Sequence, residues 1–303
     1  MPPSRLRERP ARRPADALAF ALGYRPPYMW DALLAFLGAR AIAGVEVRAG
    51  RRFRRALAVR HRGTLHAGWL EVAPAARKPA LAVRVSPSLS RVVPQVLARV
   101  RHVFDLASDP EEVARALGPL AEGAPGLRVP GGFDGFEVGV RAIAGQQVSV
   151  RAMTTLVGRI AERFGTPLAD APAGLVRTFP GAETLAAAPA AEIAALGMPG
   201  QRARTIVALA RAVADGLDLS PAADPEATLA RLEAIPGIGP WTAHYVALRA
   251  LGWPDAFLHT DLGVMRALGE RRPARVLARA EAWRPWRGYA LIHLWHGTGR
   301  PSP

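Results

Sequence analysis

The segment that most restricts the fold is a tight turn between two helical patterns, reading IPGIGPWTAHYVALRA over residues 235–250. Gly237 and Gly239 flank a single isoleucine. Glycine has no Cβ, so the chain can turn sharply there and another backbone can approach closely. The amides of the turn and of the next helix's first residues lack helical partners, which predicts an anion site. An ordinary helical connector with a glycine cap is the alternative that the spacing leaves open.

The charge of the chain favours a polyanionic partner. The 303 residues include 40 Lys and Arg against 25 Asp and Glu, a formal net charge of +15. Such an imbalance favours nucleic acid or an anionic membrane surface. Nearly every cation is arginine, with Lys78 the single lysine, so compositional drift explains part of the excess. Charge alone does not choose between DNA, RNA and lipid.

The chain contains no cysteine. This excludes disulfides, cysteine nucleophiles, thiolate zinc sites and cysteine-ligated iron–sulfur clusters. Residues 1–16 are basic and proline-rich, and we expect them to form a disordered arm. No window approaches the roughly 20 apolar residues that a membrane-spanning helix needs. We therefore expect a cytoplasmic protein without a membrane partner.

Residues 17–107 mix two periodicities, which predicts an α+β domain. Strand alternation places Leu57 and Val59 on one face, and the same period orients the apolar residues of 81–85. Helical spacing predicts helices over 29–42 and 88–106.

Residues 108–303 lose the strand period and carry a series of short helical patterns ending at Gly or Pro. The first of these begins with Asp109 as a predicted N-cap and Pro110 in the first helical position. We expect a compact all-helical domain, with the boundary between Phe104 and Pro110.

Several motifs in order resemble one family, the helix–hairpin–helix base-excision DNA glycosylases. Within it the bacterial 3-methyladenine DNA glycosylase II (alkylbase DNA glycosylase) group is most similar. The resemblance runs from Tyr24 to Arg300. It implies an α+β domain like half of a TATA-binding protein, then an all-α glycosylase core, in a nucleoid-associated bacterial enzyme acting on duplex DNA with alkylated bases. The motifs besides the hairpin are RPPYMW at 25–30, RAIAGQQVSV at 141–150, LGMPGQRA at 196–203 and WRPWRGYALIHLWHGTG at 283–299.

Asp261, in FLHTDLGVMRAL, has two compatible interpretations. By position it can cap the helix that follows. By resemblance it is the catalytic residue, and a helix N-terminus favours its ionised form. An anion suits glycosidic cleavage because the sugar passes through an oxocarbenium-like state. Asp255 and Glu270, nearby in sequence, are interpreted as solvated charges.

The aromatic residues predict a base pocket. Trp241 and Tyr245 lie four apart and share one helix face. The resemblance places Trp295 on the opposing wall. An electron-deficient purine between such rings gains stacking and a cation–π contribution of roughly 0.5–2 kcal/mol. Aromatic residues at helical spacing are also typical of a core.

The predicted DNA contacts fall on the hairpin and on one loop. Extruding a base leaves a gap that a side chain must fill, and Gln147, beside Gln146, is the predicted wedge. The best-known family member has leucine in place of Gln147, and His259, Thr260 and Leu262 also depart from it, which bears on substrate range. The predicted DNA-binding residues are Gln146, Gln147, Gly237, Ile238, Gly239 and Thr242.

The sequence leaves three alternatives to weigh: a glycosylase–lyase, a non-catalytic DNA-binding protein and a metal site. A glycosylase–lyase would carry a Schiff-base lysine at the position of Trp241, which disfavours that class. A non-catalytic hairpin DNA-binding protein would not need Asp261. His293 and His296 share a helix face but lack a third metal ligand in sequence. No cofactor is required, although the resemblance implies a monovalent cation at hairpin carbonyls around Ile235 and Ile238, and a monomer is expected.

Overall fold

The computed structural model describes residues 17–297; the predicted basic arm lies outside this range. The first half contains a five-stranded sheet of order β1-β5-β4-β3-β2 in which every neighbouring pair is antiparallel. The strands are β1 (Leu18–Gly23), β2 (Glu46–Ala49), β3 (Arg52–His61), β4 (Thr64–Pro74) and β5 (Ala80–Val85).

Two helices, α1 (Trp30–Ala39) and α2 (Val93–Val103), pack on one face of this sheet. The alternation predicted for β3 and β5 is confirmed, since Leu57 and Val59 are buried against these helices, as are the apolar residues of β5. The α+β class of the first half is therefore confirmed.

Two local features differ from the sequence prediction. Residues 18–23, for which no strand was predicted, form the edge strand β1 on β5. The helix predicted over 29–42 ends at Ala39. Ile42 then turns away and is buried in a small cluster with Met153 and Val157 of the second half, so tertiary burial overrides the helical period there.

The second half is helical, as predicted. Asp109 caps its first helix, accepting from the amides of Glu111 at 3.0 Å and Glu112 at 3.4 Å. The helices are α3 (Pro110–Leu117), α4 (Pro119–Glu122), α5 (Gly135–Ala144), α6 (Val150–Phe164), α7 (Ala182–Ala187), α8 (Ala190–Ala194), α9 (Gly200–Ala214), α10 (Pro225–Glu233), α11 (Pro240–Val246), α12 (Leu262–Ala267), α13 (Pro273–Ala280) and α14 (Arg287–Gly297).

A buried ion network joins the sheet to α5. Arg55 of β3 pairs with Glu46 of β2 and with Glu137 of α5, and Arg141 of α5 pairs with both carboxylates at 2.6 Å. Three of these four residues are less than 9% exposed. The network fixes the position of α5, whose carboxyl end leads directly into the predicted wedge loop.

Candidate functional site

A cleft of about 1240 Å³ lies where several loops of the helical half meet. Its walls come from the loop between α5 and α6, from the start of α11, from the segment around α12 and from α14. Trp241, Asp261 and Trp295 all line it. The structure therefore brings together three of the residues that the sequence predicted for one site.

The hairpin between α10 and α11 depends on a left-handed glycine. Gly237 has φ +93°, and a Cβ there would come within 2.2 Å of the Thr205 hydroxyl oxygen. That hydroxyl donates to the Pro236 carbonyl at 2.9 Å, so α9 supports the turn. The backbone freedom inferred from the sequence is required at Gly237.

Gly239 has a different role from Gly237. Its φ of −100° is accessible to any residue, and a Cβ there would meet nothing within 4 Å. Folding therefore does not require glycine here. Gly239 precedes the first turn of α11, whose amides have no partners within the helix, and the missing side chain leaves that end accessible.

Gln146 and Gln147 project differently. The Gln146 amide nitrogen donates to the Gly237 carbonyl at 3.0 Å and to the Thr242 hydroxyl at 3.2 Å, so Gln146 ties the wedge loop to the hairpin. Gln147 is exposed at the cleft, with a left-handed φ of +56°. Of the two, Gln147 has the geometry of a projecting wedge.

The side chains of Ile238 and Thr242 are buried, 5% and 3% exposed. Thr242 still contributes to the cleft wall, whereas Ile238 does not line it. A contact of Ile238 with DNA would therefore involve its backbone.

The hairpin carbonyls are the predicted cation donors. The Ile235 carbonyl accepts from the Ile238 amide at 3.0 Å, and the Pro236 and Gly237 carbonyls accept side-chain hydrogen bonds. A carbonyl oxygen has two lone pairs, so this donor set is compatible with a monovalent cation. No part of the reaction proposed below requires one.

Asp261 is the N-cap of α12 and is only 3% exposed. Its Oδ1 accepts from the amides of Gly263 at 2.9 Å and Val264 at 3.0 Å. The predicted capping role is confirmed. The carboxylate lies at the positive end of a helix, which stabilises its negative charge.

Two indole groups also bind this carboxylate. Trp241 Nε1 donates to Asp261 Oδ2 at 3.1 Å, and Trp295 Nε1 donates to Oδ1 at 3.1 Å. Both oxygens are thus oriented by fixed donors while the two indoles line the same cleft. This is an aromatic site with one preorganised carboxylate.

Tyr245 lies behind the cleft wall. Its ring stacks on Trp241 with centroids 5.2 Å apart and planes inclined by 12°. Tyr245 is 7% exposed and does not line the cleft. A base can stack on the outer face of Trp241 but has no access to Tyr245, so the two rings form one layered wall.

Two arginines of the cleft were not predicted from the sequence. Arg151 of α6 and Arg266 of α12 are exposed and line it. Arg266 follows Leu262 by four residues, a spacing that places both on one helix face. That spacing from Leu262, the residue after Asp261, was the available signal. Leu262 is itself 64% exposed.

The interpretation of Asp255 as a solvated charge is wrong. Asp255 is 6% exposed and accepts from two nitrogens of Arg287, each at 2.7 Å, and from Arg284. It anchors the start of α14. Glu270 accepts from the amides of Arg271 and Arg272.

The described residues hold no cluster of three or more metal-ligating side chains. His293 is buried in α14, where burial, with the nearby His296, lowers its pKa to about 4. Within residues 17–297, no helix is both long and apolar enough to cross a membrane.

Two family models match the chain. One is the AlkA N-terminal domain, over residues 19–134, and the other is the HhH-GPD superfamily of base excision DNA repair proteins, over residues 140–284. The chain is also 40% identical over 282 residues to DNA-3-methyladenine glycosylase 2 of Escherichia coli (strain K12), covering 92% of this chain and 98% of that protein. The chain belongs to this glycosylase family.

Further comparisons agree with this membership. A DNA-3-methyladenine glycosylase of Bacillus subtilis (strain 168) is 30% identical over 221 residues, 66% of this chain and 71% of that protein. A solved 3-methyladenine DNA-glycosylase from Archaeoglobus fulgidus has the same fold, with a TM-score of 0.77 and 23% identity over 91% of this chain and 97% of that one. The family inferred from the motifs is confirmed. The chain is a base excision DNA glycosylase, a hydrolase of N-glycosyl bonds that acts on DNA.

Proposed function

We propose that this glycosylase releases alkylated purines, 3-methyladenine and 7-methylguanine among them, from duplex DNA by hydrolysis. Asp261 stabilises the cationic sugar, and Trp241 and Trp295 receive the flipped base. The observation that carries this proposal is the Asp261 carboxylate, held by both indole N–H groups inside one cleft. The names of the relatives support the lesion class.

Binding begins at the backbone of DNA. The accessible first turn of α11 behind Gly239 presents amides to one phosphate, and the exposed Arg151 and Arg266 supply charge at the cleft. Phosphate contacts position the duplex without reading its sequence. We therefore expect affinity for undamaged duplex to fall as salt rises.

The lesion base must then leave the stack. Gln147 fills the gap, while Gln146 holds the wedge loop against the hairpin. An alkylated purine that carries positive charge stacks on the outer face of Trp241, where a cation–π contribution adds to stacking. The base leaves without a general acid because its charge already makes it a good leaving group.

Asp261 acts as charge develops on the sugar. Its carboxylate is fixed by four donors, so it needs no reorganisation as the oxocarbenium-like state forms. It also orients or deprotonates the attacking water. Lys78, the single lysine, lies between β4 and β5 outside the cleft lining, so we expect free base and an intact abasic strand.

The decisive experiment compares base release from methylated duplex DNA by wild type and Asp261→Asn. Asparagine still caps α12 but loses the charge, so the rate should fall by about 10²–10³. The thermal unfolding temperature should fall only slightly, because the one lost bond, from Trp241, contributes about 1 kcal/mol. Affinity for abasic-site DNA should persist.

A matched control is Asp224→Asn. Asp224 caps α10 by accepting from the Ala227 amide at 2.7 Å, outside the cleft lining. This variant should release base at the wild-type rate. Near-normal release by Asp261→Asn would contradict the catalytic assignment and favour a non-catalytic hairpin DNA-binding protein.

A further inference from the structure

Buried guanidinium groups surround the hydroxyl of Tyr245. Arg249 is 7% exposed; its Nη1 donates to the Tyr245 hydroxyl at 2.7 Å, and its other nitrogens donate to the carbonyls of Pro130 and Gly131. Arg40, 4% exposed, also hydrogen-bonds Tyr245. Two buried cations therefore meet at one phenol oxygen.

The neighbouring carboxylates are already engaged. Glu46 and Glu137 pair with Arg55 and Arg141, which gives two anions for two cations. Within residues 17–297, Arg249 makes no salt bridge with a carboxylate; its partners are two carbonyls, the Tyr245 hydroxyl and the faces of two rings.

An uncompensated buried cation is costly. Arginine does not relieve the cost by losing its proton, because guanidinium stays charged in proteins. The Tyr245 phenol is the nearest group that can supply negative charge. Burial alone would raise the pKa of Tyr245, but the guanidinium groups of Arg249, Arg40 and Arg141 outweigh it and lower that pKa.

We propose that Tyr245 is a phenolate in the folded protein and that its charge, stacked behind Trp241, favours positively charged bases in the cleft. On folding, the hydroxyl proton passes to solvent. The phenolate oxygen then accepts charge-assisted hydrogen bonds from Arg249 and Arg40. The cations at the junction of the two halves gain a third anion.

The consequence for specificity follows from the stack. The Tyr245 ring stacks on Trp241 with ring centroids 5.2 Å apart, and Trp241 lines the cleft whereas Tyr245 does not. Negative charge behind the indole strengthens its attraction for a cation on the outer face. This step rests on the proposed function, since it takes Trp241 as the surface on which the flipped base stacks.

The first test is spectroscopic and independent of base release. The chain has four tyrosines, so difference absorbance at neutral pH can detect one tyrosinate among them. We expect the tyrosinate band in wild type, its loss in Tyr245→Phe and its loss in Arg249→Met. The Arg249→Met variant keeps the Tyr245 phenol and removes the neighbouring cation. Its absorbance therefore tests the proposal even if Tyr245→Phe folds poorly.

Tyr289→Phe is the matched control. Tyr289 is also buried, but its hydroxyl donates to Asp105, and burial together with that carboxylate raises its pKa well above the ordinary value. This variant should keep the tyrosinate band. A wild-type protein without a tyrosinate band at neutral pH, or a band that survives in Tyr245→Phe, would overturn the proposal.

The second test compares release of cationic 7-methylguanine with release of neutral hypoxanthine. In Tyr245→Phe and in Arg249→Met, the ratio of kcat/KM for the charged base to that for the neutral base should fall by about threefold to tenfold. Equal losses for both bases would indicate a merely structural role and contradict the specificity claim. Failure of the Asp261 experiment would leave the absorbance result unaffected, so the two proposals fail separately.

Discussion

At the scale of single residues, Asp261 combines two tasks in one side chain. The carboxylate ends a helix in the manner of any N-cap, and the same oxygens accept two indole N–H groups inside the cleft. A side chain needed for local folding is thereby held rigid at the place where charge is proposed to develop. Rigidity of this kind reduces the reorganisation that catalysis requires.

Alanine substitution of the two hairpin glycines should have different effects, one on folding stability and the other on DNA binding. Gly237→Ala should lower the unfolding temperature markedly, because alanine at φ +93° is strained and its Cβ would clash with Thr205. Gly239→Ala, with open space around its Cβ, should cost no more than about 1 kcal/mol in folding, because alanine is the weaker N-cap, and yet should weaken binding to all duplexes alike. Thermal unfolding and duplex titration over a range of salt measure both effects. A loss confined to lesion-bearing DNA would mean that the hairpin reads more than the backbone.

Gln147 offers a test of base extrusion. Gln147→Gly removes the wedge while relieving a left-handed backbone, so stability should stay within about 1 kcal/mol of wild type. Base release should fall for a lesion in duplex DNA and persist for the same lesion in a single strand, which needs no gap-filling. Asp170→Gly, a second exposed left-handed residue, is the control. Equal losses on both substrates would contradict the wedge role.

The sequence predicts a residue's position well when its contacts are close in sequence and poorly when they are distant. The Asp261 cap rests on neighbours two and three residues away and was predictable. The inward turn of Gln146 depends on Gly237, 91 residues distant, and the buried Tyr245 hydroxyl meets Arg40, which comes from the other half of the chain. The orientation of such side chains is set by contacts between elements that are distant in sequence, and hydrophobic periodicity does not reveal those contacts. The resemblance supplied the cleft members. Arg249 and Arg141 stand within the quoted motifs, but nothing in the sequence indicated that they would meet Arg40 around Tyr245.

At the scale of elements, periodicity located most helices but not all ends or edges. β1 was not predicted because its six residues are too few to show a clear strand period. They form a strand because they pair with β5. α11 continues into a π-helical turn at Ala247–Leu251, which places Arg249 toward the sheet half. A widened turn of this type is frequent at functional sites and gives no reliable signal in sequence.

Helix α14 should make stability depend on pH through His293. Burial lowers its pKa to about 4 against an ordinary 6.5, so below pH 6.5 the unfolded chain binds a proton that the folded chain does not. This stabilising contribution is present above pH 6.5 and is lost as pH falls toward 4, up to about 3 kcal/mol. Denaturant unfolding at several pH values should therefore show a shallower acid loss in His293→Leu. The exposed neighbour variant His296→Gln should keep most of the wild-type slope, and equal slopes in wild type and His293→Leu would contradict the assignment.

At the scale of the whole molecule, a buried ion network joins the two halves, so we expect them to unfold together. Their order and class were predictable, because a strand period followed by a helical period is visible without any contact information. The joint was not. It consists of Arg55, Glu46, Glu137 and Arg141. Glu137 and Arg141 have the i,i+4 spacing of a helical ion pair, but nothing in the sequence links them to Arg55 and Glu46.

Breaking this joint should destabilise the entire chain. Glu137→Gln leaves buried arginines without full compensation and should cost about 3–5 kcal/mol in the free energy of unfolding. Glu192→Gln, which removes an exposed partner of Arg163 at 3.2 Å, should cost less than about 1 kcal/mol. Thermal unfolding should show one transition shifted strongly by the first variant and barely by the second. Comparable shifts would mean that the ion network does not hold the halves together.

The ion network also limits how this enzyme can be truncated or fused to domains of its relatives. An expression fragment that begins at residue 108 would carry Glu137 and Arg141 without Arg55 and Glu46, and would expose to solvent the surface that the sheet covers. A chimera that borrows the sheet domain of a relative would face the same mismatch unless all four positions are transferred together. Truncated or chimeric variants should therefore keep these four residues together.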